Sequence, residues 1–333
     1  MIALNQERDV IDLANRLGLT GSPVEGIINF CQKQIDKWVI EAGGVDSIDE
    51  LELLVASKLN LVIEEIHDEA DLQELKRRYV QMGEPIFAHI VENDLTHDTF
   101  GTMVRLKNKT NVAVIDCRDD KGARRFFTRW HEIAHLLVEP DCEQQVFRSS
   151  DEPLERLMDQ IAGHVGFYHS IFAPLFESHM SQHRNLTFET VESIRQAFCP
   201  YASFQSTLFA CHRRLPNPLL YIEARMGYTA EERRGLNQMR MFDEPEMKLR
   251  IQLVIPNKPA SDMQLTVRNN MRVPETSIVY RAFEDKLSDV IGEENLKTWT
   301  FSKGGHLLDC DVLIQARRID DLVMATIQPE VFV

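Results

Sequence analysis

No stretch of 18 apolar residues occurs anywhere in this chain, and no apolar run follows Met1. The first absence excludes a membrane-spanning helix, and the second predicts no signal peptide and no membrane partner. Paired cysteines are missing too. The six, at 31, 117, 142, 199, 211 and 310, are scattered and none stands in C-x-x-C. They read as reduced thiols of a cytoplasmic protein, not as a disulfide framework. Positive charge is short, with 37 Lys and Arg against 52 Asp and Glu, a net charge of −15. That balance argues against a protein that coats nucleic acid generally, while leaving room for a local basic patch. What remains is 333 residues, 44% of them hydrophobic, enough for two or three globular domains.

Against that background, one run stands out. His131-Glu132-Ile133-Ala134-His135 spells H-E-x-x-H. Two histidines four apart project from one face of a helix, so both imidazoles reach one zinc ion, and the Glu between them activates water. The context predicts a helix. A β-branched run, 110–116, leads into a charged turn, 118–122, and then Phe127, Trp130, Ala134 and Leu137 recur at helical spacing up to Pro140.

Such a site needs a third protein ligand and an open position. Downstream, Asp151-Glu152-Pro153 resembles a helix start, and Leu154, Leu157, Met158, Ile161 and Val165 continue with helical period to about His169. Glu155 and Asp159 lie one turn apart on the other side of that helix, followed by the small Ala162 and Gly163. Glu155 is the expected zinc ligand. Asp159 is the expected acceptor for the free ring N–H of a zinc histidine. Glu152 and Glu143 are rival third ligands.

Taken together, Arg125-Phe126-Phe127, the H-E-x-x-H and Glu155-x-x-Met158-Asp159-x-Ile161-Ala162 resemble the ImmA/IrrE-type metallopeptidases, whose second signature runs E-x-x-A-N-x-F-A. The likeness covers about residues 45–175. Trp130, Met158, Asp159 and Ile161 depart from the family pattern, and none of these departures removes a ligand. The resemblance implies a bacterial intracellular zinc endopeptidase. It would cleave a transcriptional repressor in response to DNA damage or phage, in an antiviral or stress response. The alternative is a zinc-dependent transcriptional regulator whose protease domain is vestigial.

Cys117 closes the strand before the motif helix, 14 residues ahead of His131. A thiolate there would occupy the open zinc position and hold the enzyme latent, as described for the phage-defence branch of the family. The plainer reading is a small packed residue at a strand end. Cys142 is closer in sequence, but Pro140 turns the chain away from the motif.

The resulting fold expectation is α+β in three parts. Residues 1–175 form a zincin-like peptidase domain, with a small sheet against the motif helix. Its expected elements include helices over 23–42, from the 47–50 capping box, and over 71–82, and strands over 61–66, 87–91 and 99–106. Residues 176–216 form two short helices resembling a helix-turn-helix, with Arg213 and Arg214, and beside them His212, as candidate phosphate contacts. Residues 217–333 read as strands at 219–225, 247–254, 278–283, 312–318 and 322–328, with a helix at 285–291. This pattern fits the GAF-like sensor domain of longer family members. Arg225, Arg233, Arg234 and Arg240 make single-stranded DNA a candidate activator. A homodimer is expected if that domain serves dimerisation instead.

Overall fold

The computed structural model describes residues 4–96, 99–140, 144–148, 152–181, 183, 185–229, 232, 246–285, 289–300 and 307–330. They form a mixed α+β protein of two compact units, Met1–His183 with Glu189–Ala210, and Arg184–Phe188 with Cys211–Val333. Residues 176–216 do not form a unit of their own; they are divided between these two.

In the first unit, helices α1 (Arg8–Arg16), α2 (Pro23–Ala42) and α3 (Ile48–Lys58) come first. Ser47 caps α3, its Oγ accepting from the Glu50 N–H at 3.2 Å, while the Glu50 carboxylate reaches back to the Asp46 N–H at 2.8 Å. This is the capping box, displaced by one residue at its return bond. Strand β1 (Leu61–Ile66), helices α4 (Glu69–Gln81) and α5 (Pro85–Asp94), and strands β2 (Thr99–Arg105) and β3 (Asn111–Asp116) follow. A four-stranded sheet is completed by β4 (Gln144–Arg148) in the order β1-β3-β2-β4, with β1 and β3 parallel and the other pairs antiparallel.

Alternation along these strands sorts the side chains. Ile66, Val104, Val112 and Val114 face one side and build a core with Leu72, Leu75 and Tyr79 of α4 and Phe87 and Val91 of α5. On the other side lies the motif helix, α6 (Arg125–Val138), against β2 and β3, with α7 (Pro153–Val165) packed on it. Helices α8 (His169–Met180), α9 (Phe188–Phe198) and α10 (Phe204–Arg214) follow, and the chain passes from the first unit to the second within α10.

The second unit is a five-stranded antiparallel sheet, ordered β6-β5-β9-β8-β7, from β5 (Leu220–Gly227), β6 (Lys248–Pro256), β7 (Val290–Asn295), β8 (Asp311–Ile319) and β9 (Leu322–Pro329). Helices α11 (Lys258–Asp262) and α12 (Ile278–Glu284) accompany it, and Trp299 is fully buried in its core.

Three expected elements differ. Residues 87–91 lie in α5, not in a strand. Pro85 supplies a helical first turn, and the buried Phe87, Ala88 and Val91 sit at i, i+1 and i+4. Residues 278–283 are α12, because Ser277 caps the Val279 N–H and Ile278, Val279 and Ala282 share a helical face. Of the helix expected at 285–291, residues 286–288 lie outside the described residues, and Val290 and Ile291 begin β7. No helix among the described residues is long and apolar enough to cross a membrane.

Candidate metal centre

Helix α6 carries the motif because its apolar residues are spread round most of its surface, and it is accordingly buried almost all round. His131 and His135 face α7, while Glu132 faces β2. Trp130 is fully buried, and it reaches into space that a side chain at Gly166 would fill. A Cβ built there lies 2.9 Å from Trp130 Cγ and Cδ1. The bulk of Trp130 is thus accommodated by an absent side chain just past the end of α7.

The expected ligands come together. His131 Nε2 lies 3.1 Å from His135 Nε2 and 3.1 Å from Glu155 Oε2, and His135 Nε2 is 3.7 Å from Glu155 Oε1. A tetrahedral ion with bonds of about 2.0–2.1 Å would hold donors about 3.3 Å apart, so these separations suit a single ion. On its far side, the His131 ring donates from Nδ1 to Asp159 Oδ1 at 3.0 Å, which turns the Nε2 lone pair toward the other donors. A proton can bridge only two of these three atoms, whereas a cation satisfies all three. The donor set therefore fits a divalent metal.

Charge at the site follows the same logic. Burial opposes the charged form of His131, but the hydrogen bonds to Asp159 and Glu155 outweigh it and raise the imidazole's pKa. Burial pushes the Glu155 carboxyl up, and its bonds to His131 and His135 reverse this and hold it at about 2. His135 is lowered, chiefly by burial. Glu132 is wholly buried, and neither of its carboxylate oxygens has a hydrogen-bond partner among the described residues. Burial, offset in part by His131, pushes its pKa to about 7. An ionised carboxyl left dry would cost several kcal/mol. This one is poised to take up a proton.

One residue beside the site carries no signal in the motif. Gly101 on β2 leaves the space that Glu132 fills, since a Cβ there would lie 2.9 Å from Glu132 Oε1 and 3.0 Å from Thr128 Cγ2. The β2–β4 register shifts between Thr99 and Gly101. A lone glycine inside a β-branched run was the available hint, since such glycines mark a bulge or a close approach.

Cys117 goes elsewhere. Its N–H donates to the Ile66 carbonyl at 2.8 Å, tying it to the end of β1, and its sulfur joins Glu65 and His67, not the His131 group. The structure does not bring Cys117 to the His131 group, where the expected latch would need it. Of the rival ligands, Glu152 is an exposed residue just ahead of α7, and Glu143 and Cys142 lie outside the described residues. Tyr168 donates its hydroxyl to Asp36 at 2.7 Å, away from the site. Arg213 and Arg214 end α10, while His212 is buried and bonded to the Ile255 carbonyl at 3.1 Å, unlike a phosphate contact. Arg225 lies on β5, and Arg233, Arg234 and Arg240 lie outside the described residues. Compared with known protein families the chain matches none, and no curated protein matches it.

Proposed function

We propose that this chain is a zinc-dependent endopeptidase of the ImmA/IrrE type. The observation that carries the reading is the convergence of His131, His135 and Glu155 at single-ion spacing, next to the buried and unpartnered Glu132. Zinc held by those three residues would polarise a peptide carbonyl and acidify water. Glu132 takes the proton of the attacking water and passes it to the departing amine. Asp159 fixes the His131 ring so that its Nε2 stays on the metal side. Glu155 and Asp159 are the less buried members of the set, with side chains 17% and 44% exposed, so substrate enters from their side.

In this reading, the first unit is the zincin-like peptidase and the second unit a GAF-like regulatory domain. The substrate is a transcriptional repressor, the signal is damage- or phage-derived single-stranded DNA, and the setting is the cytoplasm. The supports for these finer points are the signature residues 125–162 and the all-antiparallel sheet with few helices in the second unit.

The test is to incubate the purified, zinc-loaded protein with the repressor encoded beside its gene, with and without single-stranded DNA. Cleavage by the wild type, and cleavage slowed about 10²–10⁴-fold in Glu132→Gln, is expected. Full-rate cleavage by Glu132→Gln would overturn the mechanism. Repressor left intact under both conditions would overturn the substrate assignment.

A further inference from the structure

Outside the site just described, one further cluster among the described residues joins an imidazole, a thiol and a carboxylate. We propose that Glu65, His67 and Cys117 form a second metal site, one that takes a borderline divalent transition-metal ion such as Zn2+ or Co2+. Their ligand atoms all lie within 4.8 Å of one another. The sheet itself brings them together. Strands β1 and β3 are parallel and in register, Glu65 opposite Ile115 and Ile66 opposite Asp116, and the Cys117 N–H continues the ladder to the Ile66 carbonyl at 2.8 Å. Glu65 lies in β1 and His67 is the first residue past its end, and their side chains approach each other. Cys117 follows the end of β3 directly, and its sulfur joins the same group. Three donors thus gather at the carboxyl ends of two parallel strands, Glu65 and Cys117 tied there by the backbone ladder.

Their surroundings suit a ligand role. His67 Nε2 is 3.3 Å from Glu65 Oε2, the spacing of two donors on one tetrahedral ion. The other oxygen of Glu65 is held by Arg129, whose Nε and Nη2 approach it at 3.1 and 2.7 Å, so the carboxylate is oriented with Oε2 toward His67. Arg129 is shared with Glu52 at 2.9 Å, so its charge is not spent on Glu65 alone. The charges of Arg125 and Arg129 also favour a thiolate at 117. Side-chain exposure grades across the site, from the buried Cys117 through Glu65 to His67, which is 53% exposed. An ion would therefore enter past His67.

The donor chemistry narrows the ion. One sulfur, one imidazole and one carboxylate favour zinc-like ions over magnesium or calcium. Without metal, burial and the nearby Glu65 push the thiol up to about 12, so it stays protonated and is no ready nucleophile. As the sulfur–metal bond forms, the thiol proton passes to solvent. The site stands on its own observations and does not depend on the peptidase reading. It would tie metal availability to α6, because Arg129, the partner of Glu65, lies two residues before His131.

Cobalt distinguishes the two sites. The His131 group contains no sulfur, so a near-ultraviolet thiolate-to-cobalt charge-transfer band can arise only from a cysteine site. The full chain, stripped of metal and titrated with Co2+, should develop that band. His67→Ala, at an exposed position that leaves the core intact, should abolish it, as should Cys117→Ser. His135→Ala should keep it while losing the cobalt bound at the motif. No band in the wild type would overturn the proposal. So would a band that survives both His67→Ala and Cys117→Ser, since it would belong to another cysteine. Failure of the His131 site to bind cobalt would leave the band unchanged and count only against the peptidase reading.

Discussion

At the scale of single residues, the proposed chemistry turns on Glu132 and on the space around it. Glu132→Gln keeps the shape of the side chain but removes the base. It should lower turnover by about 10²–10⁴-fold while zinc content, measured by atomic absorption, stays at the wild-type level. Gly101→Ala should separate positioning from binding. The added methyl meets Glu132 Oε1 and Thr128, so the carboxylate must shift, and misplacement on this scale costs turnover about 10²-fold. Zinc content and KM should be preserved, because no ligand moves. A loss of zinc in Gly101→Ala would show instead that β2 supports α6 as a whole. Gly166→Ala addresses the fold: with the Trp130 ring 2.9 Å from the new Cβ and buried on all sides, the substitution should cost about 1–3 kcal/mol by urea denaturation.

At the scale of elements, the strand-to-helix connection before α6 is held by a buried charge cluster. Asp116 ends β3 with its side chain fully buried and accepts from Arg118 Nε at 2.8 Å and Lys121 Nζ at 2.7 Å. Lys121 also donates to the Thr96 and Thr99 carbonyls, both at 2.9 Å, so the cluster ties the turn to the start of β2. Burial raises the Asp116 pKa, but the bonds from Arg118 and Lys121 more than reverse that, and the net shift is downward. A folded pKa below the unfolded value of about 3.9 contributes stability above that pH and loses it as pH falls through the folded value. Asp116→Asn should therefore destabilise by about 3–5 kcal/mol at neutral pH. Its deficit relative to wild type should shrink as pH is lowered below about 4. Urea titrations of both proteins across that range measure it.

The elements also show what could be read from the chain. Helix α2 falls at Pro23–Ala42, as the spacing of Val24, Ile27, Ile28, Cys31 and Ile35 predicts, because a long amphipathic repeat with Pro at its first turn has one reading. Short apolar runs do not. Residues 87–91 and 278–283 satisfy strand and helix alike, and only their packing settles the matter. The convergence of His131, His135, Glu155 and Asp159 was legible because helical periodicity fixes which side chains share a face. The place of Cys117 was not, since strand pairing sends it to Glu65 and His67 and no local pattern records a partner 50 residues away. Gly101 left a hint of a close approach, but not of Glu132 as what approaches it.

At the scale of the whole molecule, the second unit carries a pH response of its own. His212 is buried, and burial drives its pKa down to about 4 despite its backbone hydrogen bonds. A folded value below the unfolded one of about 6.5 means stability that is complete above that pH and lost as pH falls through about 4. Hydrogen exchange in β5 and β6 should therefore accelerate between those limits, and His212→Gln should flatten the dependence.

The central claim is that α6 and α7 hold one metal ion between them. Crystals of the full chain grown with zinc, with anomalous diffraction recorded at the zinc edge, test it most directly. The account predicts a peak bonded to His131 Nε2, His135 Nε2 and a Glu155 oxygen, at about 2.0–2.2 Å from each. Zinc-saturated crystals with no anomalous density among those three side chains would contradict it.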